Sequence, residues 1–262
     1  DVLIFGETGT GKEMVARCLH DLSGAKQENY VALNCGGMAD NLLDSELFGH
    51  EPGAFTGAQK RRIGKIEYAS GGTLFLDEVE SMPMNMQIKL LRVLQERVIE
   101  RLGSNQLVPV SCRVVAASKD DLKLLSDQGK FRADLYYRLN VVRIELPPLR
   151  ERREDIPALY DQFLLQAAKR YNRPPPPLTS EHLRRLMALD WPGNIRELRN
   201  AAECHALGIG RDAPASGGGE SQSLTETVEN YERLLIAAEF TRQHGTVART
   251  SEALKVSRTT LH

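Results

Sequence analysis

Three glycines and a lysine, in Gly6-Glu7-Thr8-Gly9-Thr10-Gly11-Lys12-Glu13, dictate the local backbone more firmly than any other stretch of the chain. An apolar run at 2–5 precedes them and an amphipathic segment at 12–22 follows. Glycines let successive backbone N–H groups curl around phosphate oxygens. The following helix adds its positive end, and Lys12 is placed to reach the β- and γ-phosphates. The segment fits the GxxxxGK pattern; a glycine-rich turn that binds nothing is the alternative. Glu13 stands where that pattern usually carries the Ser or Thr that binds magnesium. Mg2+ would then lean on water, on an acidic pair further along the chain, or on Thr10 or Glu13 itself.

Short apolar runs at 2–5, 30–33, 73–76, 113–117 and 141–146 alternate with helical patterns such as 12–22 and 86–95, with Ile88, Leu91 and Leu94 on one helix face. That alternation predicts a parallel sheet covered on both faces, over residues 1–148. Pro147-Pro148 closes it. Helical patterns at 156–171, 180–189 and 194–207 predict a second, all-helical unit at 149–208, with Pro174 to Pro177 as a stiff joint. A Gly/Ser/Pro-rich segment reads as a linker at 209–223, before a last unit at 224–262. Lys+Arg number 34 and Asp+Glu 35, so contact with nucleic acid needs a local basic patch. Cys18, Cys35, Cys112 and Cys204 are scattered without CxxC spacing, which suits a reducing cytoplasm rather than disulfides or zinc. No apolar run is long enough to cross a membrane and no secretion signal is visible. The chain opens directly on a strand pattern, which suggests a piece of a longer protein.

Gly72-Thr73-Leu74-Phe75-Leu76-Asp77-Glu78 is an apolar strand ending in two carboxylates. Strand ends on one edge of a parallel sheet converge. Asp77 is expected to hold magnesium, mainly through water, and Glu78 to polarise an attacking water. A solvated turn is the plain alternative. Asn34 ends the second strand and either hydrogen-bonds Glu78 or caps its own turn.

Glu51-Pro52-Gly53-Ala54-Phe55-Thr56-Gly57-Ala58 follows a helical pattern ending Glu46-Leu47-Phe48-Gly49. GAFTGA in this context resembles the hallmark of the sigma-54-dependent transcriptional activators, bacterial enhancer-binding proteins of the AAA+ class. Their phosphate loop also reads GETGTGKE. The likeness runs from Asp1 to about Leu207, and the tail resembles the family's Fis-type helix-turn-helix. HEPGAFTGAQKRR, Glu80-Ser81-Met82-Pro83 and Val115-Ala116-Ala117-Ser118-Lys119 look most like the branch that regulates C4-dicarboxylate transport as response regulators. The resemblance implies an ATPase, with ATP and Mg2+, whose loop of Gly53, Ala54, Phe55, Thr56, Gly57 and Ala58 meets sigma-54. Physically, a glycine-rich loop with one large aromatic needs either a partner or a core to cover Phe55.

The resemblance also implies site roles. Arg132 and Arg138, read as lying on one helix, would be arginine fingers for a neighbouring subunit in a hexameric or heptameric ring; surface pairing with Asp134 or Glu145 is the alternative. Arg196, in Trp191-Pro192-Gly193-Asn194-Ile195-Arg196, would be the second sensor, with Trp191 as core packing. Ser118 would stand in the first sensor position. Residues 97–111, with Gly103-Ser104-Asn105, read as a hairpin, placed where the family has a second pore-facing loop. In the tail, Ser257, Arg258, Thr259 and Thr260 would meet enhancer DNA, in a helix that stops at His262, so the motif reads as truncated. An upstream receiver domain is expected and is absent from this chain. Two rivals stay open: another kind of AAA+ machine, and a DNA-binding regulator whose nucleotide is only structural.

Overall fold

The computed structural model describes residues 1–24 and 28–209. They fall into two compact units, one spanning Asp1–Pro148 and the other beginning at Leu149. In the first unit the strands are β1 (Val2–Phe5), β2 (Tyr30–Asn34), β3 (Gly49–His50), β4 (Arg62–Ile63), β5 (Thr73–Asp77), β6 (Val98–Glu100), β7 (Leu107–Pro109), β8 (Arg113–Ser118) and β9 (Val142–Glu145). The helices are α1 (Lys12–Asp21), α2 (Asp40–Phe48), α3 (Lys65–Tyr68), α4 (Met84–Glu96), α5 (Leu122–Asp127) and α6 (Ala133–Leu139).

Five strands form one parallel sheet in the order β2-β5-β8-β1-β9. Because side chains alternate across a pleated strand, the central strands β1, β5 and β8 feed two cores. Leu3, Leu74, Leu76, Val114 and Ala116 pack with Leu43, Leu47, Met86, Leu90 and Leu94 on one face. Val2, Ile4, Phe75, Val115 and Ala117 pack with Ala16 on the other. The expectation of five buried strands needs one correction. β9 and β2 are the sheet's two edges, and Val142, Arg143 and Glu145 on β9 are exposed, as are Ala32 and Asn34 on β2. A second correction concerns α4. Its buried side carries Met86, Gln87, Leu90, Leu91, Val93 and Leu94, whereas Ile88 is 45% exposed. At about 100° per residue Ile88 points well away from Leu90 and Leu94.

The second unit contains α7 (Ile156–Arg170), α8 (Ser180–Ala188) and α9 (Asn194–Leu207) around Ile156, Tyr160, Leu164, Leu183, Leu186, Trp191, Leu198 and Ala202. Trp191 is buried and its indole N–H donates to the Leu186 carbonyl at 2.7 Å, so it is a packing residue. Thr179 caps α8 through the His182 N–H. The expected linker beyond residue 209 and the helix-turn-helix at 224–262, with Ser257, Arg258, Thr259 and Thr260, lie outside the described residues. No helix among the described residues is long and apolar enough to cross a membrane.

Leu74 lies fully buried in the second strand from one edge. Leu74→Ala is expected to destabilise the first unit by about 2–5 kcal/mol. The measurement is a urea melt, with a lower midpoint at unchanged slope.

Candidate functional site

Between β1 and α1 the backbone turns on left-handed residues, Gly9 at φ 79° and Gly11 at φ 100°, which side chains disfavour. Gly6 continues the sheet by donating its N–H to the Ser118 carbonyl at 3.2 Å. A Cβ at Gly6 would crowd the Leu146 carbonyl at 2.9 Å, so this position needs glycine for close approach. The Thr10 hydroxyl donates to the Glu7 carbonyl at 2.8 Å and is buried. Lys12 folds back over the loop, its ammonium donating to the carbonyls of Gly6 (2.7 Å) and Glu7 (3.1 Å). Burial lowers its pKa, while the nearby carboxylates of Asp77, Glu80 and Glu78 pull the other way.

β5 delivers Asp77 to the same edge. Its Oδ1 accepts the Glu78 N–H at 3.0 Å, and burial raises its pKa against the pull of that hydrogen bond and of Lys12. Glu78 is held at φ 53°, a conformation that non-glycine residues enter at a cost and that is common at functional sites. Its carboxylate lies against the Gly36 backbone, where a Cβ would run into it. Glu80, which sequence reading assigned no role, adds a third carboxylate. Both its oxygens are buried with no partner at hydrogen-bond geometry. Burial raises its pKa, and the Ser118 side chain and Lys119 backbone are near enough to oppose that rise. Its place three residues after Asp77 was the available signal.

Asn34, Ser118 and Glu13 each have a hydrogen-bond or ion-pair partner within the unit. Asn34 does not hydrogen-bond Glu78; its Oδ1 accepts the Gly36 N–H at 2.7 Å and caps the turn after β2. Ser118 is buried, and its hydroxyl donates to the Asp120 carbonyl at 2.7 Å. Glu13 is exposed and paired with Arg17 at 2.8 Å, one helical turn on. Its carboxylate is engaged by Arg17 although its charge is still felt at Asp77, and Asp77 with water and phosphate is the plainest set of oxygen donors for a magnesium ion. That donor chemistry suits Mg2+, which keeps several waters and takes one or two carboxylates plus substrate phosphates.

The loop at 53–58 is closed at its base. β3 and β4 pair antiparallel below it, and within it Gly53 donates to the Ala58 carbonyl at 2.8 Å while Ala58 donates to Phe55 at 3.0 Å. Phe55 is 46% exposed, and its ring meets that of His50 in a T-shaped arrangement at 4.9 Å between centroids. Thr56 is exposed, whereas Ala58 is buried, so its side chain is not on the loop's outer surface. The expected hairpin forms from β6 and β7 and packs on this base. Leu102 exchanges backbone hydrogen bonds with Gly49 and Glu51, each at 3.0 Å. Beneath them Arg101, 5% exposed, grips Glu67 with two nitrogens (2.9 and 2.7 Å) and Glu51 with a third (3.1 Å). Residues 67 and 51 are 34 and 50 positions away from it, a distance no local pattern spans.

Arg132 and Arg138 do not share a helix. Arg132 precedes α6 in extended conformation, with φ −77° and ψ 132°, as its N-cap; Arg138 sits in the last turn. The Arg132 guanidinium lies bidentate on Asp134, at 3.0 and 2.6 Å, which holds the Asp134 carboxyl below the usual range. Arg138 donates to the Leu94 carbonyl at 2.7 Å. Neither arginine is hydrogen-bonded to the phosphate loop of its own chain. Arg196 is exposed on the first turn of α9.

Residues 1–145 match the family model of the sigma-54 interaction domain, and 150–209 that of the AAA+ ATPase lid domain. The chain belongs to the sigma-54-dependent activators of the AAA+ class. To the C4-dicarboxylate transport transcriptional regulatory protein DctD of Pseudomonas aeruginosa it is 57% identical over 266 residues, which is all of this chain and 58% of that protein. To DctD of Rhizobium meliloti it is 51% identical, again over 58% of the relative. The chain thus spans a little over half the length of these relatives. Among solved structures, NtrX from Brucella abortus in complex with ATP superposes with a TM-score of 0.74 at 33% identity, over all of this chain and 62% of that one. The sigma-54 activator fold extends more distantly to Hsp104 of S. cerevisiae, at 18% identity and TM-score 0.55.

Two outcomes are expected from this geometry. Asp77 has a raised pKa in the fold, so its favourable contribution is complete below the ordinary value of 3.8 and is lost as pH rises through the folded pKa. Asp77→Asn, which keeps the acceptor for Glu78, is expected to melt higher than the parent at pH 7, with the gap closing as pH falls toward 4. Calorimetry across that range checks the sign. Arg101→Ala removes the cation that Glu51 and Glu67 share, leaving Glu51 only the longer contact with Arg61 at 3.5 Å, and is expected to cost about 3–5 kcal/mol. Hydrogen exchange is expected to speed up at 49–67 and 98–102 before it does elsewhere.

Proposed function

We propose that this chain hydrolyses ATP and uses the turnover to press the loop at 53–58 against sigma-54, remodelling the closed promoter complex of RNA polymerase. One observation carries the reading. A single sheet edge gathers the phosphate loop 6–13, Lys12, Asp77 and Glu78, in a chain that belongs to the sigma-54 activators and presents Phe55 and Thr56 on an outlying loop. The ATP complex of NtrX supports the choice of nucleotide.

In this reading the N–H groups of 6–13 and the Lys12 ammonium bind the triphosphate. To do so Lys12 exchanges its two carbonyl partners for phosphate oxygens. Glu78 orients a water and takes its proton as the water oxygen bonds to the γ-phosphorus and ADP leaves. Mg2+, when bound with ATP, neutralises charge on the β- and γ-oxygens, and Asp77 would hold it mainly through water. Arg132 and Arg138 make no hydrogen bond to the phosphate loop of their own chain, and in this reading they serve a neighbouring protomer, which makes a closed ring the working assembly. Arg132 leaves an exposed carboxylate to do this, an exchange that costs little. Arg196 would report nucleotide state to the helical unit. The identities with DctD support a parent protein that controls C4-dicarboxylate transport genes as a response regulator, with enhancer DNA bound through 257–260.

Glu78→Ala is expected to lower kcat by roughly 10²–10⁴-fold, the usual worth of a positioned general base. Thr56→Ala is expected to keep ATPase activity within about twofold and to lose sigma-54 binding in the presence of a transition-state analogue. Sigma-54 binding that survives Thr56→Ala removes the loop from the contact. Equal ATPase in wild type and Glu78→Ala removes the catalytic assignment.

A further inference from the structure

Gln87 stands on α4 among Met86, Leu90, Leu91 and Leu94, and is 0% exposed. A carboxamide in such a place is costly unless its polar atoms are met. Here they are met by the backbone of two other segments. The Nε2 group donates to the Met82 carbonyl at 2.8 Å and, at the long limit, to the Lys130 carbonyl at 3.5 Å. Oε1 accepts the Arg132 N–H at 2.9 Å. A backbone N–H can only donate and a carbonyl can only accept, so these partners fix which end of the amide faces which segment.

The two segments are the ones the chemistry needs. Met82 closes the short helical turn Val79–Ser81 that begins at Glu78. Arg132 is the N-cap of α6, and its N–H would otherwise be one of the unmet donors of a helix start. One buried side chain therefore pins the backbone of Arg132 to the turn that follows the acidic pair. Among the described residues the Arg132 guanidinium itself is held only by Asp134, and both side chains are well exposed. The backbone is fixed while the charged end is free to exchange one planar acceptor pair for another.

We propose that Gln87 is a positioning residue for Arg132: its carboxamide sets the backbone from which the guanidinium reaches the γ-phosphate of ATP held by a neighbouring protomer. The inference rests on the reading of Arg132 as a group that acts on a neighbour's nucleotide. Gln87 touches no nucleotide. Its loss is felt at the adjoining site and leaves the phosphate loop of its own chain intact.

The test uses Gln87→Leu in this chain, with Gln87→Met as the variant of closer shape, beside Arg132→Ala. Both Gln87 variants are expected to lower kcat about tenfold or more, with KM for ATP changed less than about threefold, because a misplaced group costs chemistry rather than nucleotide binding. The deciding readout is a mixture of Gln87→Leu with Lys12→Ala. The Lys12→Ala protomer binds ATP poorly but carries an intact Arg132 and Gln87. The Gln87→Leu protomer binds ATP but presents Arg132 badly. Mixed assemblies are expected to hydrolyse ATP several-fold faster than the sum of the two alone. No gain on mixing, with both proteins folded and assembled, overturns the proposal. So does a Gln87 series in which every substitution abolishes folding, since that assigns the residue to the core. If Arg132→Ala matches wild type, the reading of Arg132 fails. If Arg132→Ala is crippled while both Gln87 variants match wild type, only the positioning role fails.

Discussion

Parallel strand pairing in the order β2-β5-β8-β1-β9 is the constraint on which the rest of the first unit depends. All five strands run the same way, so their carboxyl ends leave the sheet at one edge. The backbone ladder continues past the strands at that edge, with Gly6 bonded to Ser118, Cys35 to Asp77 and Leu146 to Phe5. Those bonds carry register into the phosphate loop, the turn at Gly36 and the acidic pair. A slip of one residue in β5 would send Asp77 to the other face and bury Glu78's neighbours in the wrong core.

The site built on that edge is electrostatically costly to the fold. Burial raises the pKa of Asp77 and Glu80 and lowers that of Lys12, so on both signs of charge desolvation outweighs the attraction between them. Glu78 adds backbone strain at φ 53°. Groups held this way are worth their cost only where a ligand brings charge of its own. A triphosphate with its metal ion supplies both signs at once. The packed alternation of Leu74 and Leu76 on one face with Phe75 on the other keeps the strained end in place.

Local chemistry was legible in the sequence wherever a few consecutive residues sufficed. The glycine spacing of 6–13, the apolar run ending at Asp77-Glu78 and the turn at Gly103-Ser104-Asn105 each specify their own backbone. What stayed open or was misplaced needed a partner from elsewhere. Asn34 offered one amide to two acceptable roles, and the nearer partner, Gly36, two residues on, took it. Arg132 fell outside its helix because its N–H is satisfied by Gln87, 45 positions away, and not by a preceding turn. Ile88 was read onto the buried face because three apolar residues at spacing three drift around a helix of 3.6 residues per turn. Gln87 left one trace, a polar residue inside the apolar stripe of α4, which is the usual mark of a buried amide with backbone to bind.

Where the molecule can move follows from which contacts are buried. The base of the 53–58 loop is stiff, because Arg101 binds Glu51 and Glu67 out of water and the hairpin strand end shares hydrogen bonds with Gly49 and Glu51. The tip is loose. Gly53 at φ 84° and Gly57 at φ 102° bracket Phe55, and open space surrounds both glycines. In the proposed reading, a displacement arriving from the sheet edge would meet its least resistance at the two glycines. The path into that base is short: β2 leads through the turn at Gly36 into α2, and Lys89 on α4 grips Asp44 on α2 at 2.7 Å. α4 thus touches the acidic turn through Gln87, Arg132 through the same amide, and the helix leading to the loop through Lys89. Contiguity of this kind transmits a state only if some contact along it has two arrangements. The exposed Arg132–Asp134 pair and the two loop glycines are where two arrangements cost least.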